Sequence, residues 1–235
     1  MVEKPRLLTV LDILSALMIL TAAGLVFFYA PVEQLMGQVQ KVFYFHVATA
    51  WVGMLGFMVA GVAGIFYLRT DKEKWDIAGL GAVEISLVFF LVAIILGSIW
   101  ARSIWNTCWT WEPRLTSAAI VELIYAAYFL LRSGLDDPDK RARFSAIYAI
   151  FGFISVPITF VSIRLLRTIH PVVIGNAEAA SQGGFNMDDP MKTAFFFSLA
   201  AFSVFFVDLL WHRIRLGKLQ SDVNTLRVQS YEKES

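Results

Sequence analysis

Six long apolar runs constrain this chain more than anything else in it: Leu7–Tyr29, Val42–Leu68, Ile77–Ala101, Thr116–Leu131, Phe144–Leu166 and Lys192–Trp211. Crossing about 30 Å of hydrocarbon as a helix takes roughly 20 apolar residues at 1.5 Å each. Barrel strands instead alternate polar and apolar residues over about ten positions, which these runs do not. The expected fold is therefore all-α, a polytopic membrane bundle of six transmembrane helices forming a single domain over residues 1–235. With 57% hydrophobic and 17% charged residues, little is left over for a separate soluble unit. The first run outlasts a signal-peptide core of about 7–15 residues, so it reads as a retained span.

The basic residues set an orientation. Lys4 and Arg6 precede the first run; Arg69, Lys72 and Lys74 lie between the second and third. Arg132, Lys140, Arg141 and Arg143 lie between the fourth and fifth, and Arg213, Arg215, Lys218, Arg227 and Lys233 follow the sixth. Lys and Arg accumulate on the cytoplasmic side of short loops, so both termini are expected in the cytoplasm. The segments 30–41, 102–115 and 167–191 then face outward. No inward segment resembles a phosphate-binding loop, which argues against ATP hydrolysis by this chain. A net charge of +1 argues against a nucleic-acid partner. The single cysteine, Cys108, excludes an intramolecular disulfide and any multi-cysteine metal site.

The outward segment 102–115 is the chemically dense part. Trp105, Trp109 and Trp111 stand beside Glu112, Pro113 and Arg114. Flat aromatic faces next to a fixed cation suit a large planar ligand with anionic edges, although Trp also gathers at membrane interfaces without any ligand. Of three histidines, His212 reads as an interfacial residue after the sixth run. His46 lies about one turn inside the outer end of the second run, and His170 lies just beyond the fifth. A structural zinc site wants four Cys or His ligands. Two imidazoles suffice for haem iron, because the porphyrin supplies four nitrogens. The indoles would stack on the ring, and Arg114, with Arg167 or Arg102, would pair with the propionates. Inside the runs, Glu84, Glu122 and Asp208 are costly in lipid and mark either assembly contacts or a proton path.

The stretch Trp105–Ser117, Trp-x-x-x-Trp-x-Trp-Glu-Pro-Arg-Leu-Thr-Ser, resembles the tryptophan-rich "WWD" signature of the haem-handling proteins of cytochrome c biogenesis. Its continuation Arg114-Leu115-Thr116-Ser117 and the six-span layout are similar to the CcmC branch. Val42-Phe43-Tyr44-Phe45-His46-Val47 resembles that family's first outer-histidine segment, and His170 stands in the place of its second. The resemblance implies a bacterial cytoplasmic-membrane carrier that is not an enzyme. It implies haem b as cargo, bound at the outer face and delivered to the haem chaperone CcmE, with CcmA, CcmB and CcmD as further partners. His46 and His170 would be axial ligands to the haem iron. Trp105, Trp109, Trp111, Glu112 and Arg114 would form the haem platform. Three positions depart from the family pattern: Asn106 replaces the usual Gly, Cys108 the first of a Trp pair, and Glu112 the usual Asp.

Two other readings stand beside this one. A quinol-linked membrane oxidoreductase subunit would use Glu84 and Glu122 as a proton relay, but two outer histidines serve one haem. A structural subunit would use the aromatic segment only to anchor to lipid headgroups.

Overall fold

The computed structural model describes residues 3–34, 36–166, 170 and 187–234. Helix α1 (Arg6–Gly24) continues through a π-turn at Leu25–Tyr29; α2 (Gln40–Thr70), α3 (Glu73–Trp105), α4 (Pro113–Ser133), α5 (Pro138–Leu165) and α6 (Asp189–Glu234) follow. All six are long and apolar enough to cross a membrane. The protein is a multi-pass membrane protein, as the apolar runs lead one to expect.

The N-termini of α4 and α5 lie outside the apolar runs because caps, not hydropathy, place them. Glu112 precedes Pro113 and Asp137 precedes Pro138, so each proline sits at the first helical position, where its missing N–H costs nothing. Asp137 accepts from the backbone N–H groups of Asp139 (3.0 Å) and Lys140 (3.2 Å). Those bonds, the Lys140 one foremost, hold its carboxyl below the ordinary aspartate range. The largest difference from expectation is α6, which runs on past Trp211 to Glu234. Its extension is rich in Arg, Lys, Leu and Gln, good helix formers, and contains no proline to stop it.

α2 is the centre of the bundle, touching α3, α5 and α6; α4 lies on α5, and α1 lies on α6. Glycines on α2 set these distances. A methyl at Gly53 would fall 2.8 Å from Phe90 Cβ on α3, and one at Gly61 would fall 2.6 Å from Phe153 Cβ on α5. At Gly64 the obstruction is backbone: the Ala146 carbonyl oxygen would be 2.7 Å away. Small residues permit this approach where lipid supplies no hydrophobic drive between helices. Phe57 then stacks on Tyr125 of α4 with centroids 3.8 Å apart.

The acids inside the spans mostly have partners within the chain. Glu84 takes both the Nε and Nη2 of Arg213 on α6, the latter at 2.9 Å. Gly81 makes room for it, since a methyl there would meet Arg213 Cγ at 2.8 Å. Glu84, read as an assembly contact or part of a proton path, is engaged here by a helix of its own chain. Arg132 forks onto Asp76 at 2.6 and 2.9 Å, tying α4 to α3. Glu122 keeps one buried carboxylate oxygen with no hydrogen-bond partner.

Because the Ala146 carbonyl cannot swing aside, Gly64→Val is expected to destabilise the protein by roughly 1–3 kcal/mol. The readout is a lower Tm of the detergent-purified chain. Gly24→Ala, with nothing within 4 Å of the added methyl, is the matched control and should leave Tm nearly unchanged.

Candidate functional site

The chemically dense segment is held at both ends by helix caps. α3 does not stop at Ala101 but continues to Trp105, so part of the loop expected over 102–115 is helix. It ends at Asn106, whose φ of 55° is left-handed. Glycine adopts that conformation most easily and asparagine next. Arg102 Nη1 donates to the Asn106 carbonyl at 2.9 Å and closes the turn. The segment re-enters helix at Glu112, whose carboxylate accepts from Leu115 N–H at 3.0 Å. Between these caps Thr107 Oγ1 donates to the Trp109 carbonyl at 3.0 Å.

This segment covers a cavity among α2, α3, α4 and α5. Its floor is apolar, with Met54, Phe90 and Ala118 among the lining residues; its rim carries His46, Trp105, Trp109, Arg114 and His170. Two histidines far apart in sequence therefore line one space.

Each imidazole is oriented through Nδ1. His46 Nδ1 lies 2.8 Å from the Ala93 carbonyl on α3. A carbonyl only accepts, so Nδ1 is the donor and the Nε2 of the neutral ring carries the lone pair. His170 Nδ1 lies 3.0 Å from Glu112 Oε1, which fixes the same tautomer through a carboxylate. Glu112 thus caps α4 and orients His170 with one oxygen. The His46 ring fits only because its neighbour on α3 is Gly97: a methyl there would lie 2.7 Å from the ring's Cε1.

Other groups complete the rim. Arg114 Nη1 donates to the Thr159 carbonyl at 3.2 Å, holding the guanidinium in the wall. Trp105 meets His170 with ring centroids 5.9 Å apart and Trp100 edge-on at 5.3 Å. Trp109 Nε1 and Thr110 Oγ1 are buried with no hydrogen-bond partner, although both residues line the cavity. Orphaned donors beside a cavity are what a bound polar-edged ligand would satisfy. Cys108 lines the same wall, leaving it thinner than an indole would.

Not every expected residue joins the cavity. Trp111 is 77% exposed and reaches it only through an edge-on contact to Trp109 at 5.5 Å. Arg102 is occupied at the Asn106 turn, and Arg167 lies outside the described residues. Sequence reasoning missed Gly97 and the carbonyls of Ala93 and Thr159. For Gly97 a signal existed: Ala93, Gly97 and Ala101 recur every fourth residue on α3, a stripe of small residues on one face. A carbonyl acceptor leaves no trace in residue type.

The family described as "Heme exporter protein C" (CcmC) matches residues 2–229. The heme exporter protein C of Bradyrhizobium diazoefficiens is 30% identical over 93% of this chain and 80% of its own length. That of Paracoccus denitrificans is 26% identical over 83% of this chain and 80% of its own. The Escherichia coli protein is 25% identical over 80% of this chain and 74% of its own. With its family's profile spanning nearly the whole sequence, the chain belongs to the heme exporter protein C (CcmC) family.

Proposed function

We propose that this protein holds haem b at the outer face of the bacterial cytoplasmic membrane and delivers it to the haem chaperone CcmE during cytochrome c maturation. It acts as a carrier, with CcmA, CcmB and CcmD as the other components and both termini in the cytoplasm. The observation that carries this reading is the pair of imidazoles on one cavity, each with Nδ1 engaged so that Nε2 is the basic nitrogen. Haem iron asks for two such nitrogens and takes its other four from the porphyrin. The Lys and Arg bias toward the opposite end of the bundle supports the cavity's facing outward.

The chain's residues then divide the task. His46 and His170 offer axial nitrogens to the cargo. Ala93 and Glu112 hold those rings in place, as hydrogen-bonded outer partners do at metal sites. Arg114 offers its remaining N–H groups to the propionates, and the Trp105 and Trp109 indoles flank the ring. Trp111, exposed and edge-on to Trp109, closes the mouth or meets the chaperone. Delivery requires release. The His170 side suits it, because that imidazole comes from outside the helices and a chaperone's own histidine would displace it first. His46 is anchored within α2 and would let go last.

The test is a visible spectrum of the purified protein reconstituted with haem. The wild type is expected to give the Soret and α bands of bis-imidazole ligation. His46→Ala and His170→Ala should each lose that signature, and Glu112→Gln should weaken haem binding about 10–100-fold. A wild-type spectrum that persists in His46→Ala would overturn the axial assignment.

Gly97→Val offers an independent check on geometry. It contributes no ligand, yet its side chain would occupy the place of the His46 ring. The expected result is loss of His46 ligation, read as a spectrum matching that of His46→Ala. Unaltered haem binding in Gly97→Val would mean that His46 points elsewhere when haem is bound.

A further inference from the structure

The geometry points to a divalent-cation site at the end of the bundle opposite the haem cavity, formed by Asp12 of α1 with Asp208 and His212 of α6. One carboxylate oxygen from each aspartate and one His212 ring nitrogen lie within 4.8 Å of one another. His212 Nε2 stands 2.8 Å from Asp12 Oδ1 and 3.7 Å from Asp208 Oδ1. Those two separations bracket the edge, about 3.4 Å, of a tetrahedral shell with bonds near 2.1 Å. Small side-chain rotations would bring all three atoms onto one ion.

A second observation sets this cluster apart from an ordinary polar contact. Asp208 is only 6% exposed, and its Oδ1 has no hydrogen-bond partner. The other oxygen of the same carboxylate accepts from Ser15 Oγ at 2.8 Å. One oxygen is therefore oriented by α1 and the other is left facing His212. Asp12 is arranged in the same way, with Lys4 on its Oδ2 and Oδ1 turned to the imidazole. Asp208 and His212 are four residues apart and so share a helix face. The His212 side chain is 45% exposed and gives an aqueous route in.

One imidazole and two carboxylates make a nitrogen and oxygen donor set suited to zinc and its neighbours, not to calcium or magnesium. Three protein ligands leave a fourth position for water. On binding, His212 Nε2 gives up the hydrogen that it directs at Asp12 Oδ1, to its own Nδ1 or to water, and turns its lone pair to the ion. The ion replaces a hydrogen-bonded staple between the first and last helices with a coordinated one. Lys4, beside Asp12, opposes it electrostatically.

The experiment uses the full chain in lipid nanodiscs, with His46, His170 and Cys108 replaced so that the cavity contributes no zinc ligands. After chelator treatment this background is titrated calorimetrically with Zn²⁺ alone. The expected result is one equivalent bound and a rise in Tm. Asp208→Asn and His212→Ala should each weaken binding at least about tenfold, the scale on which even outer partners of a metal ligand act, and should abolish the Tm rise. Lys4→Ala should tighten binding. His212 is exposed, so its replacement leaves the fold intact even if Asp208→Asn does not. A background that takes up no zinc would overturn the proposal. So would zinc binding equally strong in His212→Ala.

Discussion

The close approach of α2 to α3 governs the rest of this structure. Both helices carry glycine where they meet. Gly53 on α2 admits Phe90 of α3, and Gly97 on α3 admits the His46 ring of α2. The first contact sets the distance between the helix axes, and the second uses that distance to bring an imidazole within 2.8 Å of the Ala93 carbonyl. A bundle held by large interlocking side chains would separate the two helices, and His46 would lose its acceptor. Packing and imidazole orientation are thus the same interaction, seen at two levels of the helix pair.

The two histidines arrive there by different physical routes. His46 belongs to a long buried helix, so its position is set by tertiary packing. His170 follows α5, outside regular structure, and takes its orientation from Glu112, itself fixed as the cap of α4. An imidazole set by helix packing thus stands on the same cavity as one set by a helix cap.

Much of this was legible in the sequence, and the rest was hidden for identifiable reasons. Run length gave the six helices, because the hydrocarbon layer leaves a chain few alternatives. The cavity's histidines, Trp105, Trp109 and Arg114 were legible from residue type and from their common depth at one end. Helix ends were not. Trp105 belongs to α3 because the left-handed turn comes at Asn106, and α6 outruns its apolar stretch because its polar continuation is equally content as helix. Glu84 reads as an assembly contact or a proton relay, but nothing in one sequence says that it pairs with Arg213, over a hundred residues away. Trp111 looks like its two neighbours and yet faces outward. An irregular segment between two caps has no periodicity from which to infer which way a ring turns.

Asn106 has a consequence beyond its own turn. At that position the requirement is a backbone dihedral, which glycine meets by lacking a β-carbon and asparagine by tolerating the left-handed well. A motif written in letters treats the two as unlike; a motif written in torsion angles treats them as synonyms. Relatives that spell this position Gly, Asn or Asp would then share one chain reversal, whereas a valine or isoleucine there would mark a different path for the indoles. Membership in this group is better judged by where the chain turns than by which side chain sits at the bend.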